Sequence, residues 1–135
     1  NYSLKLQIES RVLGDMVINH VLPAAKRYQT MLLEKVAHVK QVFDTKEADQ
    51  LNEQDCLLIR RIESHASSII ADVDKMTTLR MTANHITNQR ERAIAFHDTI
   101  IPIMENIRKH VDELEMWIDD QLWTLPKYRE LLFIR

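Results

Sequence analysis

The chain has 135 residues, 45% hydrophobic and 28% charged, with a formal charge of −2, so one domain is expected and no single-signed field favours nucleic acid or a membrane as partner. Gly14 is the only glycine, which excludes hairpin-rich β architectures because turns needing positive φ cannot be supplied. Cys56 is the only cysteine; it excludes an internal disulfide and a cysteine-based zinc site, and points to the reducing cytoplasm.

The chain opens directly in helical periodicity. Apolar residues at Ile8, Val12, Met16, Val17, Val21, Ala24, Tyr28, Leu32, Val36, Val39 and Phe43 recur at steps of three and four, predicting a first amphipathic helix over about 3–43. Pro23 lies inside it, removing a backbone donor and crowding the carbonyl of Asn19. Two readings stay open there: a bent continuous helix, or two helices breaking near residues 19–22. Gly14 adds pliancy nearby. A start at Asn1, without an initiator methionine, suggests a segment of something longer.

Asp44 and Glu47 have capping-box spacing, and a second helix is expected over about 46–84. Its stripe is Leu51, Leu58, Ile62, Ala66, Ile69, Val73, Met76 and Ala83. Asn88 and Glu91 repeat the capping-box spacing, opening a third helix over about 88–120. There the period reads Ile94, His97, Ile101, Met104, Ile107, Val111, Leu114 and Ile118, with a kink expected near Pro102. Short connections force neighbouring helices antiparallel. The predicted fold is therefore all-α: a single domain, 1–135, built as an up-down-up bundle of three long helices.

The remaining tail, 121–135, is too apolar for a disordered end. Trp123, Leu125, Tyr128, Leu131 and Phe133 would each forgo about 1.5–3 kcal/mol if left in water, so the tail is expected to dock. Its own bundle is one surface for it; another domain or subunit is the other, with these five residues as the candidate contact.

No chemistry stands out. The six histidines include no HExxH and no Glu-x-x-His pair, and His97 reads as a histidine of the apolar face. Asp112, Glu113, Glu115, Asp119 and Asp120 do not converge as a calcium loop would. One glycine cannot build a phosphate-binding loop or a nucleophile elbow. No catalytic, cofactor-binding or metal-binding residue is assigned, and no apolar run reaches the roughly 20 residues of a membrane span.

Three passages carry more identity than periodicity requires: IESRVLGDMVINHVLPAAKRYQ (8–29), RERAIAFHDTIIPIMENIRKHVDELE (90–115) and IDDQLWTLPKYRELLF (118–133). Together they resemble the C-terminal region of type III glutamine synthetases, a large bacterial form of the enzyme. The ending from Pro126 to Phe133 is the most specific part. Thr124 departs from the pattern, since the family commonly has proline after the tail tryptophan. The resemblance implies a parent enzyme that joins ammonia to glutamate with ATP and a divalent metal such as magnesium, in a large cytoplasmic homo-oligomer. The family's substrate and metal residues lie upstream, and none matches a position here. The expected role is a non-catalytic domain contacting the rest of the synthetase chain and neighbouring identical subunits; the alternatives are a free-standing helical-bundle binding or sensor module and a helical metal-dependent enzyme.

Overall fold

The computed structural model describes residues 1–118. Three rods follow one another in an up-down-up bundle, and the described residues contain helix and short turns only. The first rod comprises α1 (Tyr2–Met16), a π-helical turn (Val17–Val21) and α2 (Leu22–Val42). The second is the uninterrupted α3 (Thr45–Asn84), about 60 Å long at about 1.5 Å per residue. The third comprises α4 (Gln89–Ala95), a second π turn (Phe96–Ile100) and α5 (Ile101–Trp117).

Side-chain caps set the rod starts. Asn1 Oδ1 accepts from the Leu4 amide at 3.3 Å, Asp44 Oδ1 from Glu47 at 2.8 Å, and Asn88 Oδ1 from Glu91 at 3.0 Å. Each satisfies one of the four amides that a helix start leaves without an intrahelical partner.

The first rod is continuous through Pro23. Backbone angles on both sides of the π turn stay right-handed helical, and the Leu22 amide donates to the carbonyl of Val17, five residues back. Both prolines occupy the same local setting: Pro23 and Pro102 each follow a π turn as the second residue of the next α-helix. A proline ring clashes with the carbonyl four residues earlier, here that of Asn19 or Asp98 inside the π turn. Widening that turn by one residue makes room for the ring while the rod continues.

The core runs along all three rods. Leu13, Val17 and Val21 meet Ile62, Ile69 and Met76, with Phe96, Ile100, Met104, Ile107 and Leu114 closing the third side. Several residues of the predicted stripes lie elsewhere. In α1 the inward row is Ser3, Leu6, Ser10 and Leu13, whereas Ile8 and Val12 are exposed, Val12 to 60%. In the third rod Phe96 and Ile100 are buried where His97 and Ile101 were expected. Both shifts sit N-terminal to a π turn, whose extra residue rotates the preceding helix relative to the stripe that follows. In α3, Leu51 is exposed and the neighbouring Asn52 is buried in its place.

The rods do not end together. Arg61 of α3 stacks its guanidinium 5.0 Å from the Trp117 ring at the end of α5. On the other side of α3 at the same height, Gln29 Nε2 donates to the Ile59 carbonyl at 3.3 Å. Beyond that level α2 and α3 continue as a two-helix arm. Val36 and Ala48 are its buried residues, held by the bond from Asn52 Nδ2 to the Val36 carbonyl at 3.1 Å and by the Lys35–Asp55 ion pair.

Candidate functional site

The five tail residues singled out above, Trp123, Leu125, Tyr128, Leu131 and Phe133, lie outside the described residues. Within the bundle, two places depart from an inert packing surface.

The first is a histidine pair between α3 and α5. His65 Nδ1 and His110 Nδ1 are 2.8 Å apart, with ring centroids separated by 5.1 Å. Such a contact requires one ring to donate and the other to accept, so at least one imidazole is neutral. Burial holds His65 below the usual imidazole value; the His110 charge and Arg61 push the same way, while Glu113 opposes them. Asn106, Lys109, Asp112 and Glu113 join the two histidines around an open groove of about 420 Å³. Burial, and then Glu113, raise the Asp112 carboxyl. Just beyond the groove, Asn106 Nδ2 donates to Asp72 Oδ2 at 2.6 Å. The sequence holds a signal for the pair, since His65 and His110 are nearly equidistant from the second turn, and an antiparallel hairpin brings equidistant residues face to face.

Two imidazoles alone do not make a metal centre. Among the described residues no group of three or more His, Cys, Asp or Glu side chains converges on a point where an ion could sit. His97, expected on the apolar face, has 66% of its side chain in solvent and contacts Asp98 at 3.1 Å; its ring lies 6.4 Å from that of Tyr2. Cys56 is a half-buried residue of α3. No described helix is long and apolar enough to cross a membrane.

The second place is the outer face of α1. Leu4, Ile8 and Val12 are all exposed and recur every four residues, forming one stripe on the side opposite Leu6 and Leu13. Single exposed apolar residues are ordinary on a protein surface, but a contiguous row of them marks a contact face. Ile18, Met81 and Ile94 are further exposed apolar residues of the bundle.

Comparison with known proteins gives this surface a context. Residues 1–40, which include the exposed stripe, match the family model for the glutamine synthetase C-terminal domain. A glutamine synthetase of Bacteroides fragilis is 47% identical over 134 residues, covering 99% of this chain. A type-3 glutamine synthetase of Dictyostelium discoideum is 30% identical over 135 residues, and a glutamine synthetase of Butyrivibrio fibrisolvens is 22% identical over 138. In each case the chain spans 18% of the relative's length.

Proposed function

As a member of the glutamine synthetase C-terminal domain family, this chain is, we propose, the non-catalytic helical brace of a type III enzyme. It holds the rest of the synthetase chain and neighbouring identical subunits in place. The carrying observation is that a chain aligned nearly end to end with synthetases accounts for only 18% of their length. The parent, on this reading, joins ammonia to glutamate using ATP and a divalent metal such as magnesium, and works as a homo-oligomer in the cytoplasm of a bacterium.

The face offered to the remainder of the parent is the Leu4–Ile8–Val12 stripe. Taking these side chains out of water against a matching surface is worth about 1.5–3 kcal/mol each for full burial. A free-standing sensor module would call for an enclosed polar pocket between the rods, whereas the grooves beside Asn1, Lys40 and His65 open on the surface.

Two measurements test the reading. The isolated chain should be helical and form no glutamine; turnover by it overturns the proposal. In the full-length parent, Ile8→Asp together with Val12→Asp should weaken assembly and lower activity. The same pair should leave the melting temperature of the isolated domain nearly unchanged, because neither side chain belongs to its core. Unaltered assembly in the parent would remove the stripe from the interface.

A further inference from the structure

The two-helix arm has an apolar side with no third helix against it among the described residues. The continuous core reaches Tyr28, Leu32 and Leu58, which pack on its edge, and Ile118 at the end of the third rod. The apolar period does not stop there. In α2 it continues through Val39 to Val42, and in α3 Leu51 lies two turns before Leu58. Met31 is 50% exposed, Leu51 47% and Val42 74%. A three-helix bundle buries this lane, and α5 ends at Trp117, at its mouth.

We infer that residues 119–135 of this chain fill the lane, covering the arm formed by α2 and α3 beyond Arg61. Three observations argue for this occupant over a second copy or another protein. The lane begins where α5 ends, so no crossing or reversal of the chain is needed. The arm extends from about residue 29 to residue 42 of α2, roughly 20 Å, and the segment from 119 to 135 spans roughly 25 Å if helical. The composition is also complementary: Leu122, Trp123, Leu125, Tyr128 and Leu131 supply large apolar groups beside the uncovered Met31, Val42 and Leu51. The inference stands apart from the synthetase assignment, since it concerns only how this chain closes its own core.

The test uses the whole 135-residue chain with Trp117→Phe, which leaves Trp123 as the only tryptophan. Trp123 emission should be blue-shifted, with low acrylamide quenching that does not change on dilution. Adding Val42→Asp and Leu51→Asp on the arm should red-shift the emission and raise quenching several-fold, with helical circular dichroism retained. The milder Leu51→Gln should shift both readouts the same way, in case the double variant fails to fold. A Trp123 already exposed in the parent background overturns the inference. So does a buried Trp123 indifferent to the arm variants, and so does burial lost on dilution, which assigns the lane to a second copy.

Discussion

At the scale of single residues, Gly14 and Asn52 are the two places where the chain forgoes stability. Gly14 is buried in α1 without a positive φ, and a Cβ there would stand 3.7 Å from Met76 Cε, ordinary contact with the end of a flexible side chain. Gly14→Ala should therefore stabilise the domain by about 1 kcal/mol, the propensity difference in a helix interior, read from chemical denaturation. Asn52 is 2% exposed; its amide nitrogen serves the Val36 carbonyl, while its Oδ1 has no hydrogen-bond partner. An unsatisfied buried acceptor costs about 1–3 kcal/mol, so Asn52→Leu should raise the denaturation midpoint; a lower midpoint would show that the amide does more for the arm than its one bond indicates. The His65–His110 contact carries a pH dependence whose sign follows from the lowered His65 value. A base harder to protonate folded than unfolded costs nothing while neutral in both states, and destabilises as pH falls through the unfolded value near 6.5. The melting temperature should fall between about pH 7.5 and pH 5.5, and His65→Gln should flatten that slope. Asp112 acts in the opposite direction and at lower pH, because a carboxyl raised by burial favours the folded state on protonation.

At the scale of the helix, the π turns decide which side chains are core. Phe96, Ile100 and Met104 are buried at two successive steps of four, with Met104 only 2% exposed, a spacing the wider turn accommodates. Ile100→Ala should thus cost about 2–5 kcal/mol, the range for truncating a buried isoleucine, and Ile101→Ala distinctly less. Equal losses would contradict this register. The three-rod plan was legible because Ile62, Ala66, Ile69, Val73 and Met76 keep an unbroken helical period and the Asn and Asp caps mark the rod starts. The error lay N-terminal to each proline. Reading Ile8, Val12 and His97 as inward assumed a constant 3.6-residue turn across Pro23 and Pro102, and nothing in a hydrophobic pattern reports an added residue in the ladder. Ser3 and Ser10 hid the true row of α1 as well, since their small polar side chains score as surface while occupying buried positions. The histidine pair escaped a search by local spacing because its members are brought together only by the antiparallel pairing of α3 with α5.

At the scale of the molecule, the bundle has a thick end and a thin one. All three rods share the core over most of its length, and the arm of α2 and α3 relies on Val36, Ala48, Asn52 and the exposed Lys35–Asp55 pair. Exposed ion pairs contribute about 0–1 kcal/mol, so that pair alone cannot hold the arm. Lys35→Ala should accordingly change overall stability by less than about 1 kcal/mol, whereas Ile69→Ala, in the fully buried centre, should cost about 2–5 kcal/mol. Comparing the two by thermal denaturation ranks the ends directly.

The middle rod has a mechanical consequence. Its flanking rods each contain a widened turn beside a proline, places where a helix bends at low cost, whereas α3 runs from Thr45 to Asn84 with neither proline nor glycine. Under load the outer struts yield first and the central strut keeps its line. A displacement imposed at the thin tip is thus carried along α3 to the far end as a rigid lever rather than dissipated on the way.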